Sequence, residues 1–358
     1  MTYSFASDKY PLPSVSDLDI LEASNEEDKN PFCAQKVHSL AALWARKYFV
    51  AVNSHEDEWQ LANAATVAEV TSSVGLTYTA NKLSQNLNLA SAQAWSLTEN
   101  LLSQEIRRHG INPELVNPLE IAADTRALFE GAFKAYVERA TPAHLSVAVG
   151  RNIGQVRSKY TSVDPRAIGF VSMQFHYTGQ KLLEFLSPLE QKLFAPYLKV
   201  MDDHMYMPLP AAYAAAAKHD YYSPAILAVR RLLPISSKIA EVVCARVIRQ
   251  HPNYQAYSGN LNNPQVKISS IRDVEMFQVY LCVCVLEDSI RSVQRELFPL
   301  CVMLYPKLQV RWILVQQMIS QMSWEIKDRL PVDDVTVFLP YLRTFADMFS
   351  HQVFEKNP

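Results

Sequence analysis

Glycine is scarce in this chain, with 8 in 358 residues. Hairpin-rich β folds draw on glycine for turns that need positive φ, so the shortage excludes most of them and favours helices. Long apolar runs are missing as well. The longest, such as Val279–Leu286, falls far short of the ~20 residues that cross a bilayer, so no membrane insertion is expected. Lysine and arginine never cluster, and the net charge is −2, so an electrostatic footprint for nucleic acid or anionic membrane is lacking. The first residues carry no basic stretch followed by an apolar core, so no secretory leader is read. The five cysteines are odd in number and show no CxxC spacing. Together these shortages predict a soluble, cytoplasmic chain with reduced thiols.

What is present is apolar and periodic. Hydrophobic residues make up 49% of the chain, enough for a sizeable core, and the length suits two medium domains of roughly 100–200 residues each. Residues 1–34 hold Pro11, Pro13, Pro31 and an acidic run with Glu26, Glu27 and Asp28, and read as an extended tail. Residues 35–160 read as an N-terminal helical domain of no recognisable type. Helices are expected from Phe32 to about Ala51, from about Asp57 to Val74, from Ser84 to Arg108 ahead of His109-Gly110, and from Leu119 to Arg139. Thr141-Pro142 is a cap-then-proline start for another. The polar run Val149–Asp164 is the expected boundary.

Residues 166–222 read as a helical bridge. Asp164-Pro165 and Ser187-Pro188 open its helices, a bend is expected at Asp202-Asp203-His204 with Pro208 and Pro210, and Ala211–Ala217 favours helix. Residues 223–354 give the clearest pattern. Ser223-Pro224 opens a helix that Pro234 breaks, and Ser236–Gln250 continues it. A polar loop, Asn253–Pro264, leads into a helix whose second half, Val279–Leu286, is apolar all round and must therefore be central. A helix interrupted by Pro299 is expected from Asp288 to Tyr305. Leu308, Trp312, Val315, Ile319, Met322 and Ile326 form the strongest amphipathic stripe, and Val335, Leu339, Leu342, Phe345 and Phe349 form the last. No strand is read anywhere. The fold class is all-α.

Several segments of this C-terminal region resemble the globin-like domain of phycobiliproteins, the light-harvesting subunits of phycobilisomes. Arg249-Gln250-His251-Pro252-Asn253-Tyr254 with Ser258-Gly259-Asn260 resembles the family's basic-Pro-Asp-Tyr…Gly-Gly-Asn loop. Ser270-Ile271-Arg272-Asp273, followed by Met276-Phe277 and Tyr280, resembles the Cys-Leu-Arg-Asp helix that carries the bilin. Leu297–Tyr305, Leu308–Ile319 and Pro331–Phe349 resemble the next helices in order, and Phe185-Leu186-Ser187-Pro188-Leu189-Glu190 resembles the Tyr-Leu-Ser-Pro-Gly-Glu entry. The resemblance implies a globin-like domain over 223–354. It also implies that Arg272 faces a bilin propionate and that Asp273 accepts from its pyrrole N–H groups.

The departure is at the attachment point. Ser270 stands where the family has its cysteine, and a hydroxyl is a far weaker nucleophile than a thiolate near neutral pH. Any bilin would therefore be held non-covalently through Arg272 and Asp273. The expectation is a protein without a covalent cofactor and without enzyme activity. It would dock to protein partners, phycobiliprotein-fold subunits or further copies of itself, as a regulatory, assembly or structural component of the photosynthetic apparatus. The alternative is a sensor binding a tetrapyrrole or another small molecule in the globin-like domain.

Other constellations have plainer readings. Arg272/Asp273 also fits an exposed charged pair near a helix start. Cys282 and Cys284 fall about 200° apart on a helix and read as core. His176, Asp202, Asp203, His204 and His219 have ligand chemistry but no recognised metal spacing, and His176 reads as a core or interface histidine. Gly150-Arg151-Asn152-Ile153-Gly154 lacks the Lys-Ser/Thr of a phosphate loop, no nucleophile motif occurs, and 77–108 forced into a helix-turn-helix would lack a basic reading helix. The Tyr/Met-rich stretch 194–222 reads as packing between the two halves or a contact surface.

Overall fold

The computed structural model describes residues 40–45, 47–48 and 64–350. The expected tail over 1–34, most of the helix expected over 32–51 and the first part of the one expected over 57–74 lie outside the described residues. What is described of the first of these, residues 40–45 and 47–48, is helical. Thirteen helices follow, and the class is all-α. The one sheet among the described residues is a two-residue pairing, β1 (Gln255–Ala256) with β2 (Gly259–Asn260), inside the polar loop. Gly259 takes φ 121° there, a conformation that side chains disfavour.

After α1 (Ala64–Thr71), α2 runs from Ser73 to Arg108, 36 residues or about 54 Å. Its start precedes the expected Ser84. The span 73–83 contains Gly75, Thr77 and Thr79, all weak helix formers, but Leu76, Ala80 and Leu83 are buried, and tertiary burial overrides propensity. Ser72 caps the helix by accepting from the Gly75 N–H at 3.0 Å. The helix is unbroken, so 77–108 contains no turn of the helix-turn-helix kind. Gly110, at φ 62°, lets the chain leave it.

Helices α3 (Pro118–Val137), α4 (Pro142–Thr161), α5 (Ile168–Leu183) and α6 (Pro188–Tyr206) each follow a polar cap and a proline except α5, which continues a short 3-10 turn at Pro165–Ala167. Ser187 and Glu190 form a reciprocal capping box on α6. Helix α2 packs on α5 and α3, and α4 on α6. Their centre is aromatic: Phe129 stacks on Phe175 at 4.6 Å, and Tyr136 meets Phe194 and Tyr197 edge-on at 5.3 and 5.2 Å. The polar run from Val149 is helical through Thr161, because Val149, Ile153, Arg157 and Tyr160 all turn inward. Asp202-Asp203-His204 does not bend. Helix α6 continues to Tyr206, and the chain turns at Met207-Pro208.

From there α7 (Leu209–Ala216), α8 (Pro224–Leu232), α9 (Ser236–Gln250) and α10 (Pro264–Glu287) follow, with a 3-10 turn at Pro234 between α8 and α9. Helix α10 is central as its pattern requires. Every residue from Val274 to Leu286 is buried, against α7, α8, α9, α12 (Trp312–Arg329) and α13 (Val332–Met348). It ends at Asp288 in the left-handed region, φ 47°. Asp288 thus closes α10 instead of opening the next helix, which starts at Arg291, passes through a π turn at Val293–Leu297 and continues as α11 (Phe298–Lys307). A second aromatic group, Phe277, Phe298, Trp312, Phe345 and Phe349, joins α10 to α11, α12 and α13. Cys282 and Cys284 are buried free thiols, and burial pushes the Cys284 thiol up to about 11. Of the aromatic and Met positions in 194–222, Phe194, Met201, Met205, Met207 and Tyr213 are core, while Tyr221 and Tyr222 are exposed.

No helix among the described residues is long and apolar enough to cross a membrane.

Candidate functional site

The polar first half of α10 meets the last turns of α6. On α6, Lys199, Asp202, Asp203 and Tyr206 recur at spacings of three and four, which puts Lys199 under Asp203 and Asp202 under Tyr206. On α10, Arg272, Asp273 and Glu275 lie before the apolar run. Trp44, Lys47 and Tyr48 close one side, α5 brings His176 and α9 brings Ser237.

Four charges form a closed ring. Lys47 Nζ lies 3.0 Å from Glu275 Oε1 and 3.6 Å from Asp203 Oδ2. Lys199 Nζ lies 3.1 Å from Asp203 Oδ2 and 3.5 Å from Glu275 Oε2. Each ammonium thus touches both carboxylates, and the ring is neutral. Tyr48 donates its hydroxyl to Asp203 at 2.9 Å, Trp44 donates its indole N–H to Tyr48 at 3.0 Å, and Ser237 donates to Glu275. The Lys47 ammonium also sits 3.5 Å from the Trp44 ring centroid. Asp203 and Glu275 are 1% exposed, where an unpaired carboxylate could not persist. Burial works to raise both acids, but the Lys199 and Lys47 charges outweigh it and hold them below the usual range. For Lys47 the balance goes the other way, and burial lowers it despite Glu275 and Asp203.

Beside the ring lies a second cluster. His176 Nδ1 is 2.7 Å from Asp202 Oδ2, and Arg272 Nη1 reaches the same oxygen at 3.4 Å. The Arg272 guanidinium lies 4.0 Å from the Tyr206 ring centroid. Burial works to raise Asp202, and His176 and Arg272 together pull it below the usual range. Arg272 is 8% exposed, so the reading of Arg272/Asp273 as an exposed pair is corrected: α6 covers it. Burial lifts the Asp273 carboxyl to about 6, against Arg272 and a hydrogen bond with Tyr305. The Ser270 hydroxyl donates to the Val266 carbonyl of its own helix at 2.9 Å.

The histidines singled out by the sequence do not converge. His204 points away from Asp202. Its Nδ1 donates to the Val200 carbonyl at 2.8 Å, which leaves Nε2 to accept from Ser146 at 3.3 Å, and burial drives it down to about 4. His219 donates to the Leu286 carbonyl, at the far end of α10. Among the described residues no group of three or more His, Cys, Asp or Glu side chains gathers as a ligand set. Gly150 and Gly154 lie within α4 and serve close packing. A Cβ on Gly154 would stand 2.8 Å from Pro210.

Sequence reading missed Lys47, Lys199, Glu275 and Arg157. Arg157 is 5% exposed and gathers distant parts of the chain. It donates to the Met205 and Tyr206 carbonyls at 2.5 and 3.1 Å, donates to the Tyr280 hydroxyl at 2.8 Å, and pairs with Glu296. Two of these residues carried a signal: Lys47 and Glu275 interrupt apolar stripes, Leu40–Tyr48 and Val274–Phe277. A charge on a buried stripe calls for an opposite charge elsewhere, though it cannot say where.

No family model, no curated protein and no solved structure matches this chain.

Proposed function

We propose that this chain is a non-enzymatic, phycobiliprotein-like protein that holds no covalent bilin. It acts by docking to partner proteins, including subunits of that fold, as a regulatory, assembly or structural component of the photosynthetic apparatus. One observation carries the reading: the three groups that the resemblance directs at a pigment are all engaged within the protein. Ser270 bonds to its own helix, Arg272 is held by Asp202 and the Tyr206 ring, and Asp273 bonds to Tyr305. Freeing Arg272 for a propionate would take from Asp202 one of its two partners and leave His176 alone to balance it. The same argument supports docking over sensing. The acids and bases of the ring neutralise one another, which favours a structural over a catalytic role.

The test is affinity capture from an extract of phycobilisome-containing cells, together with a visible spectrum of the purified chain with and without added phycocyanobilin. Recovery of phycobilisome subunits by a colourless protein is expected. Capture without any photosynthetic component would overturn the docking reading, and a visible band would restore the sensor.

A further inference from the structure

We propose that the groove between α12 and α13 receives a helix of a protein partner, one with an apolar stripe bordered by Asp and Glu. This rests on the docking reading and adds the surface and the chemistry of what binds there.

The two helices are consecutive, joined by Leu330 and Pro331, and the groove between them has a volume of about 300 Å³. Ile319 and Leu342 form its buried floor, and Trp324, Lys327 and Arg343 stand at its exposed rim. Trp324 is 66% exposed. An indole in water forgoes the large burial for which Trp, with Tyr and Arg, is enriched among interface anchors. The charges are as informative as the apolar surface. Among the described residues neither Lys327 nor Arg343 has a carboxylate partner, and no acidic residue lines the groove. Other cations near α12 differ: Arg246 of α9 and Arg329 are both bound to Glu325, at 2.7 and 2.6 Å. Lys327 is instead 6.0 Å from the Trp324 ring centroid, so a cation and the exposed indole present one combined surface.

An apolar floor between two unpaired cations selects its complement. Apolar side chains at i, i+3/i+4 and i+7 fill the groove, and carboxylates on the margins meet Lys327 and Arg343. A nucleic acid has the charge but not the apolar stripe, and two cations on a chain of net charge −2 are too few to hold a polyanion.

The experiment uses the full chain and two designed helical peptides of about 18 residues. Both carry the same leucine stripe. One is bordered by Glu and the other by Lys. Calorimetry should show the Glu peptide binding at least about tenfold more tightly than the Lys peptide. Trp324→Ala should weaken it by about tenfold or more. The double change Lys327→Glu/Arg343→Glu should reverse the preference. These side chains are exposed, so the variants keep their fold, which circular dichroism checks. Equal binding of the two peptides, or binding indifferent to Trp324→Ala, would overturn the proposal. Self-association abolished by Trp324→Ala would assign the groove to a second copy and overturn it too. Capture of phycobilisome subunits by wild type and Trp324→Ala alike would remove the groove but leave the docking function intact. Acidic-peptide binding without any such capture would do the reverse.

Discussion

Lys47 and Glu275 meet at 3.0 Å across 228 positions of sequence, and both are buried where they meet. The pair is one edge of the four-charge ring, so each member also faces an opposite charge on α6. Removing one member leaves an odd charge in the core. Glu275→Leu should cost about 3–5 kcal/mol, and Lys47→Met a similar amount. The double variant Lys47→Met/Glu275→Leu should cost much less than the sum, since neither charge is left alone. Urea midpoints of the four proteins check this, and additive losses would mean that the two side chains do not interact.

The pH dependence divides by sign. Asp202, Asp203 and Glu275 sit below their unfolded values. Their contribution is present above about pH 4 and is lost as pH falls through the folded values. His204, depressed from 6.5 to about 4, likewise loses stability as pH falls through that interval. Asp273, raised from 3.8 to about 6, does the opposite: its contribution is present below 3.8 and is lost as pH rises through 6. The two windows overlap, so wild-type stability should change little between about pH 4 and 6. Asp273→Asn should leave a fall on acidification across this range, and His204→Gln a rise. Unfolding midpoints measured across the range decide it.

Two helical glycines should respond oppositely to alanine. At Gly154 the new Cβ meets Pro210 at 2.8 Å, and a loss of about 1–3 kcal/mol is expected. At Gly131, exposed on α3, nothing lies within 4 Å, and alanine should add about 0.5–1 kcal/mol through helix propensity. Thermal melts of the two variants separate close helix contact from intrinsic propensity.

Restoring the family's cysteine should not restore colour. Ser270→Cys supplies a thiol, but Arg272 and Asp273 keep their partners on α6 and α11. Incubation with phycocyanobilin should leave no visible band after denaturing electrophoresis. A coloured band would show that the pigment can displace Asp202 from Arg272.

Much of the fold was legible where a single face or a single cap decides an element. Ser236–Gln250, the start at Ser223-Pro224 and the burial of Val279–Leu286 all depend on local grammar, and the structure has them. What failed had a non-local cause. The span 73–83 is helical because α5 and its neighbours bury it, and its own residues do not favour helix. Asp202-Asp203-His204 reads as a polar bend, and its acids are tolerated on α6 because Lys47, Lys199, His176 and Arg272 come from elsewhere. The candidate site was half visible for the same reason. Arg272, Asp273, His176 and Asp202 stood out as residue types and Lys47 interrupts an apolar stripe, whereas Lys199, which faces both Asp203 and Glu275, looks like an ordinary surface lysine in sequence.

The ring also sets an order of events during synthesis. At ribosomal rates of about 5–20 residues per second, roughly 10–45 s separate the emergence of Lys47 from that of Glu275. Over that interval the nascent N-terminal part holds an ammonium group whose second counter-ion has not yet been made. The ring therefore cannot close until the segment bearing α10 has been released, and a ribosome stalled before it would display a core that lacks its central helix.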